Sequence, residues 1–182
     1  MYIQKTHIAD VFIIEPRIMS DERGYFFESF NKKDFATNIC EIEFVQDNES
    51  KSRYGVVRGL HCQTGDFAQA KLVRVLEGRV LDVAVDFRHG SPTYGHHVAV
   101  ELSAENKRQL FIPKGFLHGF SVLSEFCIFS YKCDNFYDKA SEISVRYDDP
   151  SLGIDWMVPK KDILVSDKDR SAGEFQDVIS YR

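Results

Sequence analysis

Polar side chains interrupt several apolar stretches of this sequence, and their types are those of acid–base chemistry. His61 ends "VVRGLH", His118 lies within "PKGFLHGF", and Tyr131 lies within "IFSYKC". Buried polar groups cost stability unless they are paired, so these positions need a reason. A histidine, a tyrosine and nearby cations are what proton transfer beside an anionic ligand requires. The pattern therefore predicts a cavity that holds a general base and a general acid.

Short strand patterns must position these side chains, because they dominate from about residue 55 to residue 150. Apolar and β-branched residues recur at short, even spacing, with polar turn segments between them. In "KLVRVLEGRVLDVAVDF" (71–87), Glu77-Gly78 predicts the turn of a hairpin whose two strands pair directly. Many short strands of this kind predict an all-β, double-sheet jelly roll with a ligand cavity between the sheets.

Helical patterns are few and short. Residues 32–39 predict two turns of helix, and residues 166–173 predict a short helix that Ser166 caps, with Asp169 at the reciprocal capping position. The chain contains no repeat, low-complexity tract or linker. We therefore predict a single domain over residues 1–182, which is an ordinary length for one hydrophobic core.

Composition and charge exclude several classes of protein. A formal net charge of −5 argues against a general nucleic-acid binder, although a local basic pocket for a phosphate-bearing small molecule is compatible with it. No apolar run reaches the ~18 residues of a membrane span, and the N-terminus lacks a secretory pattern. Four cysteines without a C-x-x-C pair indicate reduced thiols rather than disulfides or a zinc site. We therefore expect a cytoplasmic protein that binds neither nucleic acid nor membrane.

A longer set of motifs resembles one enzyme family in order and across nearly the whole chain. They are "DERGYFFESFN" (21–31), "VVRGLHCQ" (56–63), "AQAKLVRVLEGRVLDVAVDFRHGSPTYG" (68–95), "VELSAENKRQLFIPKGFLHGFSVLSE" (100–125), "YKCDNFY" (131–137), "RYDDPSLGIDW" (146–156) and "ILVSDKDR" (163–170). Together they resemble the dTDP-4-dehydrorhamnose 3,5-epimerase family. The resemblance implies a cupin-type jelly roll that works as a homodimer without a metal or redox cofactor. It implies inversion at C3 and C5 of a 4-keto-6-deoxy nucleotide sugar, usually for cell-surface polysaccharide.

The resemblance also implies the catalytic roles. His61 is expected to be the general base, oriented by Asp169, because a carboxylate bonded to one ring nitrogen leaves the other free to accept a proton. Tyr131 is expected to return a proton from the opposite face of the sugar, since a single base that returned its own proton would restore the starting configuration. Lys71 is expected to stabilise the negative C4 oxygen of the enolate.

Further positions match family residues that bind the nucleotide sugar. Cations are expected at the diphosphate, His118 near the sugar and phosphates, and other side chains at the nucleotide, with the base held by aromatic stacking and amide hydrogen bonds. The predicted substrate-binding residues are Arg23, Phe26, Glu28, Gln46, Asn48, Arg58, His118, Glu142 and Lys168.

Each of these residues also has a simpler interpretation. His61 is compatible with a hydrogen-bonded core histidine, Tyr131 with a core aromatic residue, and Asp169 with a capping residue alone, in which case Asp167 is the alternative partner of His61. Lys71 and Arg58 are compatible with exposed strand charges. The surrounding motifs favour the catalytic interpretation.

The segment "LHCQTGDFAQAK" (60–71) departs from the family pattern. An aromatic residue commonly stands at position 62 in the family, and a proline and a glycine commonly precede the lysine. We expect this change to affect which sugar fits or which carbon is epimerised. A single-site epimerase acting on another nucleotide such as GDP therefore stays an alternative, as do a metal-dependent cupin and a non-catalytic sugar-binding cupin. Metal cupins usually carry a second histidine where this chain has Gln63.

Overall fold

The computed structural model describes residues 1–179, so the last three positions of the predicted domain, 180–182, lie outside the described residues. The described part is built mainly from short strands, with three short α-helices and two single turns of 3₁₀ helix. The strands are β1 Tyr2–Lys5, β2 Phe12–Glu15, β3 Met19–Asp21, β4 Gly24–Phe26, β5 Gln46–Arg53, β6 Val57–Gln63, β7 Lys71–Glu77, β8 Arg79–Asp86, β9 His97–Ser103, β10 Gln109–Ile112, β11 Phe116–Val122, β12 Phe126–Cys133 and β13 Glu142–Ser144. The helices are α1 Lys32–Asn38, α2 Asp167–Arg170 and α3 Phe175–Ile179.

Two antiparallel sheets face each other, which confirms the predicted all-β jelly roll. One sheet has six strands in the order β1-β2-β10-β7-β12-β5, and the other has five in the order β13-β6-β11-β8-β9. Strands β3 and β4 form a separate two-stranded hairpin. Non-sequential neighbours in both sheets mean that the chain crosses between the sheets several times. This crossing brings side chains that are distant in sequence to the space between the sheets.

Alternation along the strands explains why the sequence looks apolar almost throughout. On β8, Val80 and Ala84 point into the core between the sheets, whereas Leu81 and Val83 point outward. The outward face is itself covered by the C-terminal segment, which contributes Trp156 and other apolar residues. Because both faces of β8 are buried, its apolar residues form a continuous run instead of a strict alternation.

The predicted hairpin over residues 71–87 is wrong, although its two strands and its turn are correctly placed. Strand β7 lies in the six-stranded sheet and β8 in the five-stranded sheet, so the turn connects the two sheets. Gly78 has a φ of +81°, and a Cβ there would lie 2.1 Å from the carbonyl oxygen of Phe126. The glycine is thus required by the left-handed turn and by close backbone packing, and neither feature reveals with which strand the chain pairs next.

Both predicted helices are present, the second only as the single turn Asp167–Arg170 with its predicted Ser166 cap. The side chain of Asn31 accepts hydrogen bonds from two backbone N–H groups at the start of α1, and Ser166 caps α2. Helix α1 places Phe35 on the outer face of the six-stranded sheet, next to Phe111. No helix within residues 1–179 is long and apolar enough to cross a membrane.

Candidate active site

A cavity of about 500 Å³ is lined by both sheets and by helix α2. The five-stranded sheet contributes His61 and His118, and the six-stranded sheet contributes Lys71 and Tyr131. Side chains from opposite sheets therefore face one shared space. The predicted site residues that line it are Arg58, His61, Lys71, His118, Tyr131, Lys168 and Asp169.

His61 and Asp169 form a hydrogen-bonded pair at this cavity. The distance from Nε2 of His61 to Oδ1 of Asp169 is 2.6 Å, and 28% of the His61 side chain is exposed against 6% of the Asp169 side chain. Burial raises the pKa of Asp169, but hydrogen bonds from His61, Ser166 and the Gly59 backbone N–H outweigh burial and hold this pKa below its usual value. An ionised carboxylate only accepts hydrogen bonds, so Nε2 carries the proton and Nδ1 is the nitrogen that can accept one.

The position of Asp169 depends on the C-terminal segment. Leu164 exchanges backbone hydrogen bonds with Gly55 and Val57, both 2.8 Å, which joins this segment to the start of β6. Two positions later, Ser166 accepts a hydrogen bond of 3.1 Å from the Asp169 backbone N–H and starts α2. The same short helix thus directs the Asp169 carboxylate at His61, so its capping geometry and its pairing with His61 coexist.

The glycines of "RGLH" and "LHGF" let β6 and β11 approach closely beside the histidine. Gly59 has a φ of +113°, and a Cβ there would lie 2.6 Å from the His118 carbonyl oxygen. The strand register shifts between His118 and Phe120 at this point. Only glycine combines this backbone angle with such a close contact. The motif therefore sets the strand geometry from which His61 projects.

Tyr131 and Lys71 lie on neighbouring strands of the opposite sheet. Tyr131 is on β12 and Lys71 is at the start of β7, where it pairs with Cys133. Burial raises the pKa of the Tyr131 phenol, Cys133 adds to this effect, and Arg58 partly opposes it, so the phenol stays protonated at neutral pH. Among the ion pairs within residues 1–179, none involves the Lys71 ammonium, which is therefore available to an oxyanion.

A second histidine–aspartate pair lies deeper in the same cavity wall. Nε2 of His118 is 3.0 and 3.1 Å from the two carboxylate oxygens of Asp82. Both side chains are nearly inaccessible, with exposures of 9% for His118 and 0% for Asp82. His118 also stacks beside Phe129, with ring centroids 6.1 Å apart. The aspartate thus fixes the orientation of the His118 imidazole, which lines the cavity.

Polar groups at the rim of the cavity are linked in pairs. Arg58 donates a hydrogen bond of 3.0 Å from Nε to the hydroxyl of Ser52. Lys168 Nζ lies 2.6 Å from Oε2 of Glu142, and this same oxygen accepts a hydrogen bond of 3.0 Å from the Tyr137 hydroxyl. Burial raises the pKa of Glu142, but its bonds to Lys168 and Tyr137 outweigh this and lower the pKa.

Six predicted substrate-binding residues do not line the cavity. Glu142 is linked to it through Lys168. Gln46 and Asn48 lie on the adjacent edge strand β5, where Asn48 is the register partner of Tyr131 and accepts a hydrogen bond of 2.9 Å from Gln46.

The remaining three residues, Arg23, Phe26 and Glu28, lie in the N-terminal part of the chain. Arg23 and Phe26 are on the β3–β4 hairpin, where 86% of the Arg23 side chain and 63% of Phe26 are exposed. Arg23 bonds to Asp21, and Glu28 accepts a hydrogen bond of 3.3 Å from Asn31. The chain does not bring these three residues to its own His61.

Cys62 lies on the opposite face of β6 from His61. It is 6% exposed and belongs to the apolar cluster on the outer face of the five-stranded sheet. The cysteine in place of the usual aromatic residue therefore does not touch the cavity, contrary to what its position next to the base suggests. Alternation along β6 is the reason, because adjacent side chains point to opposite faces.

Sequence reasoning gave several residues of the site no role. Asp82 interrupts the apolar run "VLDVAV", which is a usable signal, but its pairing with His118 depends on the register of β8 and β11. Phe120 and Phe129 form the aromatic wall, with parallel rings 4.2 Å apart, and look like ordinary core residues in the sequence. Tyr137 lies in a polar loop without periodicity, so no local pattern identifies it.

Among residues 1–179, no group of three or more histidine, cysteine, aspartate or glutamate side chains is arranged to hold a metal ion. Gln63, at the position of the second histidine of metal cupins, bonds with its side chain to backbone groups of two loops. The expectation that the protein needs no cofactor stays a prediction.

Comparison with known proteins identifies the family. The family model described as dTDP-4-dehydrorhamnose 3,5-epimerase matches residues 5–177. A curated dTDP-4-dehydrorhamnose 3,5-epimerase of Shigella flexneri is 53% identical over 178 residues, which cover 97% of each chain. The chain belongs to this family of epimerases. The fold of the family member from Elizabethkingia anophelis matches with a TM-score of 0.94 at 56% identity, covering 97% of both chains.

A second epimerase structure carries a ligand. The dTDP-6-deoxy-D-glucose-3,5-epimerase of Legionella pneumophila, solved in complex with dTDP-4-keto-L-rhamnose, matches with a TM-score of 0.93 at 50% identity. The match covers 96% of this chain and 93% of the Legionella chain. The resemblance in the sequence motifs is thus confirmed, and this chain is an isomerase of the epimerase class.

Proposed function

We propose that this epimerase inverts C3 and C5 of a dTDP-linked 4-keto-6-deoxy sugar, with His61 as the base and Tyr131 as the acid. One observation carries the proposal: the two side chains come from opposite sheets and face the same cavity. Inversion needs a proton acceptor on one face of the sugar ring and a proton donor on the other. The Legionella relative with a bound dTDP-4-keto sugar supports this choice of substrate.

The reaction starts with removal of a proton next to the C4 ketone. Nδ1 of His61 accepts the proton, and the C–H electrons move into the enolate, whose negative charge rests on the C4 oxygen. Asp169 stabilises the resulting imidazolium through its 2.6 Å hydrogen bond. Lys71 stabilises the enolate oxygen, a contribution of about 3 kcal/mol in comparable sites.

Tyr131 completes the inversion by giving its phenolic proton to the opposite face of the same carbon. Burial keeps the Tyr131 pKa above its usual value, so the donor is loaded with its proton before each turnover. The phenolate then regains a proton from water, and His61 loses its proton to water. The same two groups serve C3 and C5 in turn, because both carbons are adjacent to the ketone.

The cations at the rim bind the nucleotide diphosphate in this proposal. Arg58 supplies a guanidinium fork and Lys168 a point charge. Tyr137 is more than half exposed, and its hydroxyl is held by the Glu142 carboxylate that also pairs with Lys168. An exposed, fixed ring beside a phosphate-binding cation suits a nucleobase, so we place the thymine on Tyr137.

A homodimer accounts for the residues that are absent from the cavity. Arg23 and Phe26 match substrate-binding positions of the family but project into solvent on the β3–β4 hairpin. Other apolar side chains in this part of the chain are exposed as well, including Tyr2 at 64% and Tyr25 at 59%. We propose that a second copy covers this surface and that each hairpin contributes Arg23 and Phe26 to the cavity of its partner.

Subunit mixing tests the homodimer. His61→Asn and Arg23→Ala are each prepared as inactive proteins, then mixed, unfolded and refolded together. If the hairpin serves the partner, each mixed dimer contains one intact site out of two. Random pairing makes about half of the dimers mixed, so about a quarter of the wild-type activity should return. A monomer in sedimentation analysis, or no recovery from mixed dimers, contradicts the shared site.

We also propose a cytoplasmic location, on the basis of the cysteines. The four cysteines, Cys40, Cys62, Cys127 and Cys133, form no disulfide within residues 1–179. Burial raises the pKa of Cys127 to about 12 and is the main cause that raises the pKa of Cys133 to about 11, so both thiols stay protonated and unreactive. Reduced, unreactive thiols without disulfides are typical of a reducing compartment.

Proton exchange in deuterated water tests the function. dTDP-4-keto-6-deoxyglucose and its GDP counterpart are incubated with the protein, and deuterium at C3 and C5 is followed by NMR. The proposal predicts label and inversion at both carbons of the dTDP sugar. Label at one carbon only indicates a single-site epimerase, and a faster reaction with the GDP sugar contradicts the assigned nucleotide.

A further inference from the structure

Gln63 makes a buried set of hydrogen bonds beside the catalytic histidine. It lies two residues after His61 on β6 and is 5% exposed. Its Nε2 donates to the carbonyl oxygens of Phe67 at 2.7 Å and of Phe136 at 3.0 Å. Its Oε1 accepts from the backbone N–H of Asp138 at 2.7 Å. A single amide thereby uses three of its four hydrogen-bonding positions on loop backbone.

These bonds connect two loops to the strand of the base. Residues 64–70 and residues 134–141 also bond to each other, for instance from Gln69 Nε2 to the Asn135 carbonyl at 2.8 Å. Those contacts join loop to loop. The Gln63 side chain differs because it ties both loops to β6, and so to the strand that carries the base.

The two bonds of Gln63 to the second loop lie on either side of one residue. The Phe136 carbonyl and the Asp138 N–H flank Tyr137, so Gln63 holds the backbone before and after this tyrosine. The Tyr137 hydroxyl is in turn held by Glu142. The backbone and the ring tip of Tyr137 are therefore both fixed, although more than half of the residue is exposed.

We propose that Gln63 is a positioning residue that fixes Tyr137 for the nucleobase. This inference rests on the proposed function, in which Tyr137 contacts the thymine. A ring that is already ordered loses less conformational entropy on binding, so the gain appears in nucleotide affinity. The unusual 64–70 loop belongs to the same positioning network, because Gln63 bonds to this loop at Phe67.

Titration of the full-length protein with dTDP tests the proposal. Gln63→Met keeps the length of the side chain and removes the amide. We expect it to weaken dTDP binding by about 10-fold or more and to raise KM similarly, with kcat at saturation within about 3-fold of wild type. Gln69→Met is the matched control, because it removes a bond between the loops and leaves both bonds around Tyr137. Its dTDP affinity should stay within about 3-fold of wild type.

A double-mutant cycle separates positioning from general loosening. Tyr137→Ala should weaken dTDP binding, and the combination with Gln63→Met should bind no more weakly than the worse single variant. Additive losses, or unchanged dTDP affinity in Gln63→Met, overturn the proposal while leaving the thymine on Tyr137. Unchanged affinity in Tyr137→Ala overturns both. If Gln63→Met does not fold, Gln63→Glu serves the same cycle, because its carboxylate faces two carbonyl oxygens.

Discussion

The two histidine–aspartate pairs of the cavity differ in how they are built. His118 and Asp82 lie on adjacent strands of one sheet, and both are almost fully buried. His61 and Asp169 are 108 positions apart in sequence, and the His61 side chain is about three times as exposed as that of His118. The same two residue types thus occur once within the sheet and once where the sheet meets the C-terminal helix.

In the proposed mechanism, this difference explains why the His61 pair takes and returns protons and the His118 pair does not. An acid–base group must reach the substrate and exchange its proton with water, and the more exposed pair meets both requirements. The strand ladder around the buried pair fixes His118 in one place, which suits a binding residue. The comparison teaches that pairing with a carboxylate orients a histidine, whereas access to the cavity determines whether it can act as the base.

Replacing each histidine by asparagine gives the largest expected contrast. His61→Asn removes the base and should lower deuterium exchange at C3 and C5 by about 1000-fold. His118→Asn removes a binding contact and should lower kcat/KM by about 10- to 100-fold, with exchange still measurable. Exchange is followed by NMR in deuterated water. Equal losses in the two variants would remove the distinction between the pairs.

Replacing the aspartate of the exposed pair should have the next largest effect. Asp169→Asn cannot stabilise the imidazolium, and we expect kcat to fall by about 100-fold. Asp167→Asn is the control, because Asp167 is exposed on the same short helix and does not bond to His61. Steady-state kinetics of both variants measure the two losses of kcat. A larger loss of kcat in Asp167→Asn would contradict the assignment of Asp169 as the partner of His61.

Replacing the aspartate of the buried pair should affect stability more than chemistry. Asp82→Asn weakens a fully buried hydrogen bond, and we expect the free energy of unfolding to fall by about 2 kcal/mol. The kcat should fall by less than about 10-fold, since His118 keeps its place in the strand ladder. Urea unfolding and kinetics measure the two effects. A loss of kcat as large as that of Asp169→Asn contradicts the comparison.

Acidification should have the smallest effect of these changes. It should remove the stabilisation that the ionised Asp169 carboxylate gives to the folded protein. The pKa of Asp169 is lowered in the folded protein, so the folded state favours the ionised form. Its stabilising effect is then complete above the pKa of the unfolded chain, about 4, and is lost as the pH falls through the lower folded-state value. The difference in unfolding free energy between wild type and Asp169→Asn, of order 1 kcal/mol, should shrink below pH 4. A difference in unfolding free energy that grows as the pH falls would contradict this prediction.

The sequence predicts the strands better than it predicts their partners. Periodicity and turn residues locate β7, β8 and the Gly78 turn, but the hairpin between them does not exist. A turn with a left-handed glycine is compatible both with a hairpin and with a connection between two sheets. Burial of β8 on both faces removes the alternation that would have shown which face is the core.

The site divides in the same way. Residue types and motifs predict His61, Lys71, Tyr131 and Asp169 as site residues, and the fold brings all four to one cavity. Asp82 and Tyr137 could not be assigned, because strand register and loop bonding determine what they contact. Arg23 is predicted by its motif, but in its own chain it does not line the cavity of His61, so a second copy has to be considered.

The most direct test of the opposite-face mechanism is Tyr131→Phe in deuterated water. The account predicts that deuterium still enters C3 and C5, because His61 still removes the protons. Inversion should fall by about 100-fold or more, because no acid is left on the other face. Inversion at the wild-type rate, or loss of exchange together with inversion in a folded variant, would contradict a base and an acid that act from opposite sheets.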